Sequence, residues 1–326
     1  METEDTITKP PHNPFPFNNL FLIKGFLTGK NDFLNYVIGI VASFSGYLIF
    51  QLIMMVPLLS LAMKNGLTIN EIAANPNVLF NPDKVGIHKS LLLALMMGMF
   101  VFALLFFWLS IKFIQKKTLA SIITGYENIR WNRYFYSFII WGSLITILTI
   151  VSYFISPQDI EVKFNPLQFL ILLIVAILLI PIQTAIEEII FRGYLMQGFG
   201  LAFKNGLSPL VITSVLFGLM HASNPEAKAH GLLIMMPYYI FFGAFLGILT
   251  LLDEGAELAM GIHCANNLFS SLLVCSKNSV LQTDAIFYST TENPVAEFGI
   301  WILMATVCFF ILSKKYQFSN WKLLIR

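Results

Sequence analysis

The chain has 326 residues, of which 57% are hydrophobic and 12% charged, and its formal net charge is +2. With a mean hydropathy of +0.74, it has less polar surface than a water-soluble domain of this length needs. The composition describes a multi-pass integral membrane protein and excludes a soluble one, and no basic run suggests a nucleic-acid partner.

A spanning helix needs roughly 20 apolar residues, because each residue rises about 1.5 Å through a hydrocarbon layer of about 30 Å. Residues 1–30 read as a cytoplasmic tail: Pro10, Pro11, Pro14 and Pro16 oppose a long helix, and residues 15–26 suit an interfacial segment. Residues 31–164 hold three spans, placed at 32–64, 90–111 and 134–155. In the polar loop between the first two, Thr68 and Glu71 have capping-box spacing and predict a short helix. A basic loop with Lys112, Lys116, Lys117, Arg130 and Arg133 follows the second. A fourth span starts near Pro166, and Lys204, Asn205 and Gly206 make a turn after it. Further spans are expected at 207–221, 232–252, 258–275 and 296–312, the last slightly short. Residues 276–326 then comprise a polar loop, the last span and a basic C-terminal tail. The expected fold class is therefore all-α, a polytopic transmembrane helix bundle of about eight spans. An even number puts both termini on one side, and fourteen Lys and Arg fall on that side against six on the other. That asymmetry makes the termini cytoplasmic. Cys264, Cys275 and Cys308 lie in apolar segments without CxxC spacing. They read as small hydrophobes rather than as a disulfide set or a thiolate metal site.

Chemistry concentrates at the far end of the fourth span. Residues 164–186 carry no formal charge, and then Glu187, Glu188 and Arg192 arrive together. Charges at membrane depth are costly and are by default functional. Glu188 and Arg192 are four apart on a helix and can pair, whereas Glu187 is rotated by about 100° and left for acid–base work. The bland alternative is an interfacial salt bridge. The second constellation is Phe217 and His221. A lone histidine at a helix end is more often a packing residue, but the turn at Lys204 lies midway between Glu187 and His221. A helical hairpin there brings the two to one depth, where they can share a water. The third is His263 and Asn267, four apart on one face. Both can donate hydrogen bonds, which suits an oxyanion, although polar pairs also simply join helices. Asn266 points elsewhere and reads as a packing or backbone-bonding residue. His12, His88 and His230 are set aside, the last as a loop residue. Ser270 and Ser271 lack a nucleophile elbow.

These pieces in this order, Glu-Glu-x-x-x-Arg, Phe-x-x-x-His and His-x-x-x-Asn, resemble the CPBP family. It comprises type II CAAX prenyl endopeptidases and lysostaphin-resistance-protein-A-like membrane proteins, and the resemblance covers residues 165–275 as a catalytic helical core. It implies an intramembrane glutamic endopeptidase of a bacterial cytoplasmic membrane, acting on a membrane-associated peptide or protein. Under it Glu187 is the general base, His221 assists, and His263 and Asn267 hold the oxyanion. Glu188, Arg192 and Phe217 shape the site. Such proteins are often labelled metalloproteases, and Glu187, His221 and His263 could offer zinc three ligands. Without His-Glu-x-x-His spacing, a site with no cofactor is favoured. A non-catalytic immunity or scaffold protein is the alternative. A proton-coupled transporter would predict inverted repeats, and none is visible.

Overall fold

The computed structural model describes residues 18–324. The proline-rich part of the expected tail, residues 1–17, and the terminal Ile325 and Arg326 lie outside them. The described chain is mostly helical. In order it forms α1 (Leu20–Leu27), α2 (Phe33–Lys64), α3 (Ile69–Ala74), α4 (Pro82–Val85), α5 (Lys89–Leu109), α6 (Leu119–Ile123), α7 (Trp131–Ile155), β1 (Ile160–Val162) and α8 (Pro166–Glu188). Then come α9 (Met196–Phe203), α10 (Leu207–Met220), α11 (Pro225–His230), α12 (Leu232–Leu252), α13 (Glu257–Leu273), β2 (Val274–Ser276), β3 (Phe287–Ser289) and α14 (Pro294–Tyr316).

Among the described residues six helices are long and apolar enough to cross a membrane: Phe33–Lys64, Lys89–Gln115, Trp131–Ile155, Pro166–Phe203, Leu232–Leu252 and Pro294–Tyr316. This corrects the expectation of eight. Helices occupy the fifth and seventh expected places, but α10 has 14 residues and α13 has 17. At about 1.5 Å per residue, those lengths fall short of a layer of about 30 Å. The reason differs for each. The chain turns out of α10 at His221, whereas α13 is polar along one side and lies inside the protein. The last helix, by contrast, is longer than expected, at 23 residues. The segments after the two short helices meet: Val280 donates its backbone N–H to Glu226 of α11 at 3.0 Å. Strand β3 pairs in parallel with β2 and antiparallel with β1, which precedes α8.

Helix α13 is the centre of the packing. It is buried without a break from Glu257 to Ala265, and α7, α8 and α12 surround it. Gly261 allows α7 to approach, because a Cβ there would run into Ser137 and the carbonyl of Tyr134. Ser137 seals the contact by donating to the carbonyl of Leu258 at 3.0 Å. The first turn of α13 is anchored by charge. Arg130 donates from Nε and Nη2 to both carboxylate oxygens of Glu257, at 3.0 and 2.8 Å. Arg133 meets Asp253 at 2.6 Å. Two arginines that read as members of a basic loop are thus structural clamps.

The tail also differs from expectation where it is described. Residues 20–27 are a helix docked in the bundle, with Phe21 and Leu22 fully buried. Asn19 caps it, accepting from the N–H of Leu22 at 3.2 Å and donating to the carbonyl of Leu251 at 2.9 Å. The Thr68 capping box of α3 forms as its spacing predicts.

Candidate active site

The site lies between α8 and α13, which run past each other in opposite directions. Each contributes polar residues at helical spacing, so the side chains meet in two rungs. On the first rung Asn267 donates from Nδ2 to Oε1 of Gln183 at 3.0 Å. On the second His263 faces the two glutamates. Its Nδ1 is 2.7 Å from Oε1 of Glu188, and its Nε2 is 3.6 Å from Oε2 of Glu187. Arg192 donates to the same Oε1 of Glu188 at 2.8 Å, the i,i+4 pair that its spacing predicts.

The two glutamates have different surroundings. The side chains of Glu188 and Arg192 are wholly buried, while that of Glu187 is 16% exposed. Glu187 is the less buried of the two. It is not free, however: its Oε1 accepts from Nε2 of Gln183 at 2.7 Å. Its Oε2 is buried with no hydrogen-bond partner. After Glu188 the helix widens into a π-turn over Ile189–Leu195, a distortion that often marks functional sites. Gly193 in that turn touches α6, since a Cβ there would meet the side chain and carbonyl of Ile122.

The histidine tautomers follow from their partners. A carboxylate only accepts, so His263 donates from Nδ1 to Glu188, and in its neutral form Nε2 is bare. Nδ1 of His221 lies 2.8 Å from the carbonyl of Phe217. A carbonyl also only accepts, so the Nε2 of His221 is the bare atom too. Phe217 joins these groups. Its ring centroid is 4.5 Å from His221 and 5.9 Å from His263, and the Arg192 guanidinium lies 4.2 Å over it. From α12, Tyr239 stacks on His221 at 4.9 Å and Phe242 meets His263 edge-on at 5.4 Å.

YyaK, an uncharacterized protein of Bacillus subtilis (strain 168), is 33% identical to this chain over 229 residues, 69% of this chain and 76% of YyaK. A family model described as Type II CAAX prenyl endopeptidase Rce1-like matches residues 166–269. The chain belongs to the Rce1-like type II CAAX prenyl endopeptidase, or CPBP, family. No solved structure matches it. The Rce1-like stretch begins on the first residue of α8 and ends in the last turns of α13. It therefore encloses both rungs, His221 and the aromatic residues around them.

Every residue predicted for the site lies in this region, but two pairings are new. Glu188 holds His263 as well as Arg192, and Asn267 spends one N–H on Gln183. Gln183 is the member that charge does not single out. Its signal is a glutamine four residues before Glu187 in a run otherwise as apolar as lipid. Tyr239 and Phe242 carry no signal beyond an apolar helix. Asn266, expected to pack or bond backbone, instead accepts from the Trp141 indole at 3.2 Å. His230 is a partner of Glu292 at 2.9 Å rather than a solitary loop residue. Among the described residues no group of three or more His, Cys, Asp or Glu is disposed to hold a metal.

Proposed function

We propose that this chain is an intramembrane endopeptidase in which Glu187 and His221 activate water against a peptide bond of a membrane-associated polypeptide. Family membership supports a peptidase role. The observation that carries the mechanism is Oε2 of Glu187, a buried carboxylate oxygen with no hydrogen bond, beside His263. A water between Glu187 and His221 meets two bare acceptors, Oε2 and Nε2, which orient its protons and aim its lone pair. Glu187 removes one proton as the oxygen attacks the carbonyl carbon. His263, held through Nδ1 by Glu188 at 2.7 Å, donates from Nε2 when it is imidazolium. Together with the second N–H of Asn267, which faces Nε2 of His263 at 3.4 Å and is released when that nitrogen carries a proton, it stabilises the oxyanion. The proton on Glu187 then passes to the departing amine. No serine or cysteine nucleophile is needed.

We also take the chain to sit in a bacterial cytoplasmic membrane with its termini inside. Arg130, Arg133 and Arg192 are held in ion pairs, and the eleven basic residues left on that side still outnumber the six opposite.

The test is comparative peptidomics of membranes carrying the wild type or Glu187→Gln at equal abundance. Products made by the wild type are expected to fall by about 10²- to 10⁴-fold. Unchanged products would remove the catalytic reading and favour a non-catalytic immunity or scaffold role.

A further inference from the structure

The hydrogen bonds around Gln183 form a chain with a single direction. The indole N–H of Trp141 donates to Oδ1 of Asn266 at 3.2 Å. Nδ2 of Asn266 donates to Oδ1 of Asn267 at 3.2 Å. Nδ2 of Asn267 donates to Oε1 of Gln183 at 3.0 Å, and Nε2 of Gln183 donates to Oε1 of Glu187 at 2.7 Å. The shortest bond is the last, on the carboxylate. Three amides in series each accept from one neighbour and donate to the next, and successive dipoles in such a series reinforce one another.

The direction is locked at both ends. An indole nitrogen can only donate, and an ionised carboxylate can only accept. Flipping the Gln183 amide would set its oxygen against the Glu187 carboxylate and its NH₂ against that of Asn267. Flipping either asparagine would create similar conflicts. Trp141 is fully buried in α7 and Gln183 is 6% exposed, so water does not readily replace a broken link. The chain thus ties α7 through α13 to α8.

We propose that Gln183 is a positioning residue for the reaction and that the donor chain from Trp141 acts through it on Glu187. This rests on the reading of Glu187 as the base. By occupying Oε1, Gln183 leaves Oε2 as the oxygen that takes the proton, and it holds that oxygen toward His263 and the reacting water. Through its own carbonyl it also fixes Asn267, so base and oxyanion donor are set by one amide.

The experiment uses the full chain reconstituted in phosphatidylethanolamine–phosphatidylglycerol vesicles. Its probe is an internally quenched peptide spanning a bond that the wild type cleaves. Gln183→Met keeps length and volume but removes both bonds, and kcat is expected to fall roughly 10- to 100-fold with KM little changed, as for a misplaced catalytic group. Gln183→Glu is closer in shape, but it loses the donor and adds a charge facing Glu187, so kcat falls further. A packing role predicts the opposite ranking. Trp141→Phe removes the first donor together with part of a buried ring, and the lost donor lowers kcat about fivefold, the worth of one net hydrogen bond. In Gln183→Met the Trp141→Phe change has no further effect, because the chain is already cut. Glu187→Gln is measured in parallel. If it is inactive while Gln183→Met retains wild-type kcat, or while the two substitutions multiply, the inference fails alone. If Glu187→Gln is as active as wild type, the reading of the base fails and takes the inference with it.

Discussion

Arg192 shows how much can rest on one side chain. Its guanidinium is wholly buried, pairs with Glu188 at 2.8 Å and lies over Phe217 at 4.2 Å. Space for it is made by Gly243 of α12, where a Cβ would stand 3.2 Å from Nη2. Removing one member of a buried pair leaves the other charge uncompensated, at about 3–5 kcal/mol. Arg192→Met is therefore expected to lower unfolding stability in detergent by about that much. A loss below about 1 kcal/mol, the scale of an exposed pair, would contradict it. The Glu188–Arg192 pair was legible because helical spacing is local arithmetic. The bond from Glu188 to His263 spans 75 positions, and no local spacing contains it. The same holds for Gln183 and Asn267: each stands out in its own helix, but their meeting depends on how α8 and α13 are set side by side.

At the scale of elements, helix limits marked by charges or caps were readable. Helix α2 starts after Asp32 and ends at Lys64, and α12 occupies Leu232–Leu252. The π-turn after Glu188 was not, since nothing in the spacing of residues 189–195 departs from an ordinary helix. Helix α1 was missed because eight residues beside a proline-rich stretch look like more tail; only docking stabilises so short a helix. Part of that docking is Lys117, which is 3% exposed and donates to the carbonyl of Gly25 at 3.2 Å. Burial lowers its pKa from 10.5 to about 8. Between those values the unfolded chain holds more protons than the folded one, so stability rises as pH goes from about 8 toward 10.5. Thermal unfolding across this window is expected to show that rise in the wild type and to lose it in Lys117→Met. Equal slopes in the two proteins would refute the assignment.

The whole molecule pairs long helices with short ones, and α10 is the short helix with an open flank. Leu207, Val211, Val215 and Leu219 form an exposed stripe along it at four-residue intervals, and the chain then turns at His221. The stripe is about 9 Å shorter than an ordinary hydrocarbon layer. Acyl chains packed along it would meet polar groups before they reach the far leaflet. Such a mismatch is relieved by local thinning of the bilayer, and a thinned patch next to His221 shortens the path for water and for an extended substrate segment. On the proposed function, membrane thickness thereby becomes a variable of the reaction. Turnover in vesicles of short acyl chains is expected to exceed that in vesicles of long ones, and a rate indifferent to chain length would sink the idea. On this view the protein shapes its solvent as well as its site: fourteen residues of helix, where a span needs about twenty, set how far the lipid must yield.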